Sequence, residues 1–232
     1  MDLTQLITQH GAASWDKQMC INDLIGDNTW NLYLERGLMS FGDEMTFPVQ
    51  ILGSEAEYAG TWLWAWANEA GNFSPAFTTA SRQLQDFGRQ NLVPELTTPE
   101  ISGDDANGHL LSLIALGLCG TNAYCRVPCT GGAAFLLLTV PETRCFTDLS
   151  PAHFIRIFMD FTSQFECSHR PALEAYARYK SYTVAVQEDR TLLLASHSGE
   201  EITAVFDDVG SLWTLKARLT PNSPDGDSAA DV

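Results

Sequence analysis

Apolar residues recur along this chain with two different periods, and the switches between them mark the elements. Over residues 1–25, Leu3, Leu6, Ile7, Met19 and Leu24 fall at helical spacing, with Gly11 interrupting the pattern. The period then becomes two. In TWNLYLERGLMSF, Trp30, Leu32 and Leu34 alternate with Asn31, Tyr33 and Glu35, which predicts a strand. MTFPVQILG repeats the alternation through Phe47, Val49 and Ile51. Pro48 cannot donate to a ladder, so it predicts an edge position or a late start. GTWLWAWAN forms a third strand with Trp62, Trp64 and Trp66 on one face. The short spacings between these runs predict an antiparallel meander.

Helical spacing returns after Ser74-Pro75, a favoured N-cap and first helical residue. Phe77, Ala80, Leu84 and Phe87 form one face, and Gly88 is placed to stop the helix. Asp104 and Asp105 precede a second helix, His109 to Leu118, which is apolar almost all round and so predicted to be buried. TNAYCRVP and GAAFLLLTV read as strands joined by a turn at Thr130-Gly131-Gly132. The second is continuously apolar, which predicts cover on both faces. Ser150-Pro151 repeats the earlier cap and opens a helix striped with Phe154, Ile157, Phe158, Phe161 and Phe165; Ser168 is placed to cap another. Four strand-like runs complete the pattern, SYTVAVQ, TLLLASH, EITAVFD and SLWTLKARL.

Blocks of strands alternate with blocks of helices. That order predicts an α+β fold, with largely antiparallel sheets packed against helices in two layers, rather than a doubly wound one. Residues 1–219 make either one compact domain or two lobes, about 1–145 and 146–219. The end, residues 220–232, is small, polar and acidic, the composition of a disordered tail.

Charge narrows the partners. Thirteen Lys and Arg against 29 Asp and Glu give a net charge of −16. Such a surface repels nucleic acid and anionic membrane and favours a basic protein partner. MDLTQLITQHGAASW carries no secretory signal, and no apolar run is long enough to span a bilayer, so a cytoplasmic location is expected. The six cysteines are Cys20, Cys119, Cys125, Cys129, Cys145 and Cys167. Their spacing lacks the paired knuckles of a zinc site, so free, mostly buried thiols are expected, with no metal and no cofactor.

FPVQILGSEAEYAGTWLWAWAN, followed by FSPAFTTASRQLQDFG, resembles a bacterial family of uncharacterised proteins, a domain of unknown function. The marks are the Q-I-L-G turn, the G-T-W-x-W-A-W-A-N strand and the helix ending in F-G. GLCGTNAYCRVPCTGGAAFLLL is similar to the segment that usually comes next in that family. The resemblance covers roughly residues 25–145 and implies a compact α+β fold in a bacterial cytoplasm; it implies no activity.

Candidate chemistry is sparse. Trp62, Trp64 and Trp66 form either a stacking platform or a core layer, the layer being favoured because the Phe77/Leu84/Phe87 helix can cover it. Asn68 is a polar handle at the strand's end or a turn residue. Asp104, Asp105 and His109 are either ligands or an acidic helix start. Cys167 lies near His169 and Arg170, though closeness in sequence does not make a dyad. No nucleophile elbow or phosphate loop occurs. A binding or protein-interaction role is therefore expected, a toxin-neutralising immunity-type protein being one concrete form. The alternative is an enzyme or carrier with a small-molecule pocket between helices and sheet. Convergence of Asp105, His109, Tyr124 and Arg126 on one cavity would favour the latter.

Overall fold

The structure, a computed structural model, describes residues 1–141 and 150–218; Cys145 and the expected tail at 220–232 lie outside the described residues. Helix α1, Leu3–Ile25, starts with a capping box. Asp2 Oδ1 accepts from Gln5 N at 2.7 Å, and Asp2 N donates to Gln5 Oε1 at 3.1 Å. The helix runs unbroken through Gly11, where a β-carbon would lie 2.5 Å from the ring of Phe161. The glycine marks the close approach of another helix, not a break.

The run predicted as one strand at 29–41 is a hairpin. β1 (Trp30–Tyr33) and β2 (Leu38–Phe41) are joined by a helical turn at Leu34–Arg36, and Gly37 closes that turn with φ of 62°. Leu34 therefore does not continue the alternation. β3 (Met45–Ala56) pairs with β2 through Met45–Pro48 and with β4 (Thr61–Trp64) through Gly53–Ala56. β7 (Gly132–Leu138) runs antiparallel along Val49–Ala56 of β3, with β6 (Ala123–Cys129) outside it; β5 (Glu100–Ser102) pairs with β4. Pro48 thus sits in a central strand rather than at an edge. It is tolerated because the regular β7 pairing ends at Val49↔Leu138, and the one bond beyond it uses the Pro48 carbonyl, which accepts from Thr139 N at 3.0 Å and needs no N–H from the proline.

Helix α2, Thr79–Asn91, is entered through a short helical turn at Pro75–Thr78 and passes through Gly88 to end at Leu92, a left-handed residue at φ 56°. Gly88 is instead a packing site, where a β-carbon would fall 2.6 Å from Leu96 Cβ. Helix α3, Gly108–Leu118, is buried along most of its length. Helix α4 (Pro151–Gln164) starts at Ser150, whose Oγ accepts from His153 N at 3.2 Å. Helix α5 (His169–Tyr179) comes next, with no side-chain cap from Ser168. A second antiparallel sheet has the order β11-β10-β9-β8, from β8 (Thr183–Glu188), β9 (Thr191–Ala195), β10 (Glu201–Phe206) and β11 (Leu212–Arg218). The fold is α+β, with five α-helices and two antiparallel sheets among the described residues.

Strand β7 is covered on both faces, as its continuous run predicts. Ala133, Phe135 and Leu137 join Leu52, Trp62, Trp64 and helices α1 and α3. Leu136 and Leu138 join Met39, Phe41, Phe47, Val49 and Ile51 on the other side. The first cluster continues through Phe154, Ile157, Phe158 and Phe161 to Leu192, Leu194, Ile202 and Phe206 of the second sheet. Each such large apolar side chain contributes about 1.5–3 kcal/mol when fully buried. No helix among the described residues is long and apolar enough to cross a membrane.

Candidate functional site

A cleft of about 620 Å³ opens beside the hairpin β1–β2. Its floor is α1, through Trp15, Gln18, Met19 and Asn22. One wall is the hairpin, with Trp30, Met39 and Phe41. The other is β6, with Tyr124, Cys125 and Arg126, joined by Asn107 and His109 from the start of α3 and by Gln164 and Phe165 at the end of α4. Trp30 is paired directly with Phe41 in the β1–β2 register, so both side chains stand on the cleft face.

Local chemistry fixes the β6 wall. Residues two apart on a strand share a face, which sets Tyr124 and Arg126 together. His109 Nδ1 lies 2.9 Å from the Tyr124 hydroxyl and meets the Tyr124 ring edge-on. Arg126 Nη2 donates to Glu57 Oε1 at 3.1 Å, and its Nε lies 3.9 Å from Glu55 Oε2. Glu55 Oε1 in turn accepts from Gly108 N at 2.6 Å, at the first residue of α3. Burial holds the His109 pKa below its ordinary value; Glu55 opposes that shift and Arg126 adds to it. Burial pushes the Tyr124 phenol well up, with Cys125 adding to it, and pushes the Cys125 thiol to about 12. At neutral pH this wall therefore presents a neutral imidazole, a protonated phenol, a protonated thiol and a guanidinium matched by two carboxylates.

Gln18 is the residue that sequence patterning missed. Its side chain is buried and pairs with the backbone of Tyr124 as a strand would. Tyr124 N donates to Gln18 Oε1 at 2.8 Å, and Gln18 Nε2 donates to Tyr124 O at 3.1 Å. A polar residue on an otherwise core-facing stretch of α1 is the only signal that could have marked it.

The remaining candidates fall elsewhere. Trp62 and Trp64 have no exposed surface; their rings meet edge-on at 5.4 Å, and Trp64 Nε1 donates to Glu95 O at 2.9 Å. Trp66 lies past the end of β4 and packs against the same core. None of the three lines the cleft. Asn68 is a turn residue, its Oδ1 accepting from Gly71 N at 2.9 Å. Asp105 is exposed and outside the cleft. The cap of α3 is Asn107, which accepts from Leu110 N at 2.9 Å, not Asp104 or Asp105. Cys167 is pushed up to about 11 by burial, and His169 Nδ1 accepts from Leu212 N at 2.9 Å, so the two do not act as a pair.

A second polar cluster lies deeper. Asp16 is 3% exposed and receives three partners: His153 Nε2 at 2.6 Å, Tyr176 OH at 3.1 Å and Lys180 Nζ at 3.0 Å. It ties α1 to α4 and α5 and does not line the cleft.

Fold and site together define an α+β protein with an aromatic cleft at the rim of its larger sheet. Residues 4–141 match the family of unknown function DUF6882, and the chain belongs to that family. No curated protein and no solved structure matches the chain.

Proposed function

We propose that this is a binding protein and that the cleft is where it binds. The observation that carries this reading is the aromatic cleft, where His109, Tyr124 and Arg126 share one wall opposite the paired Trp30 and Phe41. Three of the four residues whose convergence favours a small-molecule pocket thus meet, without Asp105, so the pocket of that alternative is kept and its catalysis is not. Aromatic surface with a few fixed polar groups is the usual makeup of a ligand site, and 620 Å³ lies within the ordinary range of about 300–1,000 Å³. The enzyme reading is weaker. A thiol pushed up to about 12 is a poor nucleophile, and the phenol beside His109 is held protonated. A reducing, cytoplasmic setting belongs to this reading and suits the thiols of Cys119, Cys125, Cys129 and Cys167.

A test is a screen of small aromatic and amide fragments by ligand-observed NMR, against the native protein and Asn22→Trp. Asn22 is an exposed residue of the cleft floor, and an indole there would fill the opening. Fragments that bind the native protein and are lost with the variant support the cleft. Binding that is the same in both places the site elsewhere.

A further inference from the structure

We propose that the cleft takes an extended, basic polypeptide segment, which adds as a strand to the open sheet edges that border it. This rests on the cleft being the binding site.

Both β1 and β6 contribute to the cleft, and among the described residues each has one strand neighbour, β2 and β7 respectively. The direction of their free backbone groups can be read from single hydrogen bonds. Gly42 N donates to Thr29 O at 2.8 Å, so Thr29, Asn31 and Tyr33 turn their backbone groups towards β2. Trp30 and Leu32 therefore turn theirs to the open edge. On β6, Gln18 takes both backbone groups of Tyr124, so that residue faces away from β7, and by the same alternation so does Arg126. Pro128, the next residue of this set, has no N–H to offer, as suits an outward position.

Gln18 already supplies one rung of a missing strand. The next rung, at Arg126, opens on the cleft. An incoming strand would pair there or at Trp30 and Leu32, and alternate side chains would enter the aromatic cleft. This is strand addition, in which main-chain bonds give affinity and pockets for alternate side chains give selectivity.

Charge sets the class of segment. Asp23, Asp27, Asp43 and Glu44 are exposed around the hairpin, and Arg36 is the basic residue of that region. On the β6 side the Arg126 charge is matched by Glu55 and Glu57. With a net charge of −16 over the chain, a segment with lysine or arginine outside and apolar residues inside fits this border, whereas an acidic one is repelled.

The experiment uses the full chain and two synthetic peptides, one alternating lysine with valine and one alternating glutamate with valine. Binding is read by titration and by hydrogen exchange at single amides. The expected result is binding of the lysine peptide alone, with slowed exchange at Leu32, at Arg126 or at both. Reversing Asp43 and Glu44 to lysine, both exposed, should weaken it about tenfold or more. Equal binding of the two peptides overturns the basic class. Protection confined to β8 or β11 overturns the site. If small fragments bind the cleft but neither peptide does, strand addition falls and the cleft reading stands. If fragments and peptides both fail, both readings fall.

Discussion

A β-carbon placed on Gly11 would lie 2.5 Å from two ring atoms of Phe161 and 2.8 Å from Ile7 Cδ1, so α1 meets α4 at a point where only glycine fits. Phe161 is fully buried and cannot swing away. Gly11→Ala should therefore destabilise the protein by about 1–3 kcal/mol through overpacking, although alanine is the better helix former by about 1 kcal/mol. Urea denaturation of the two proteins gives the difference directly; a stabilised variant would mean that the helices have room to part.

Removing Asp16 should cost more. Asp16→Ala leaves the ammonium of Lys180, itself only 8% exposed, without its 3.0 Å carboxylate partner and removes the acceptor of the Tyr176 hydroxyl. Breaking a buried ion pair by removing one member costs up to about 3–5 kcal/mol. The double variant Asp16→Leu/Lys180→Met should recover much of that loss, and a thermal scan of the set tests it.

Tryptophan emission separates core from cleft. The difference spectrum between the native protein and Trp64→Phe should be blue-shifted and resistant to acrylamide, because Trp64 has no exposed surface. Trp30→Phe should remove a red-shifted, quenchable component, since Trp30 is 45% exposed. A quenchable Trp64 would show that the tryptophan layer opens to solvent.

His109 should make the protein less stable in acid. Its pKa is lower in the folded state than in the unfolded chain, so the unfolded chain binds the proton first as pH falls through about 6.5. Stability is therefore lost from the unfolded pKa downwards until the folded pKa is passed. His109→Gln should flatten this part of the profile, measured as urea midpoints at pH 7.5 and 5.5. His10, also lowered by burial, keeps its own share.

Thiol reactivity should track burial. Cys129 is exposed at the end of β6, whereas burial raises Cys119 and Cys125 to about 12 and Cys167 to about 11. Iodoacetamide near neutral pH should alkylate Cys129 well before those three, as peptide mass mapping would show. Early loss of Cys125 would indicate a cleft that admits solvent to the thiol.

Periodicity exposes the elements but not their arrangement. The double cover of β7 is legible, because a run without alternation has no solvent face. So is the pairing of Tyr124 with Arg126, since residues two apart share a face. Pro48 misleads because its fit in a central strand depends on where β7 stops, a long-range fact. Asp104 and Asp105 have the right chemistry to cap α3, but Asn107, next to the helix, has the shorter reach. Trp15 and Trp30 carry no local mark of a cleft, and Gln18 only that of a polar residue on a core-facing stretch of α1. They meet Tyr124 only once α1 has crossed the sheet, and no local pattern encodes that crossing.

Asp16 lies within the stretch 4–141 that the family shares, yet His153, Tyr176 and Lys180 all lie beyond it. The family segment thus has side-chain partners outside its own bounds. Its first helix carries a carboxylate whose counterparts are written more than a hundred residues later, in a portion that the family match does not cover. A chain cut after residue 141 would keep every mark of its kinship and lose the groups that let α1 bury an acid. The family match and the contacts of its first helix therefore end at different places.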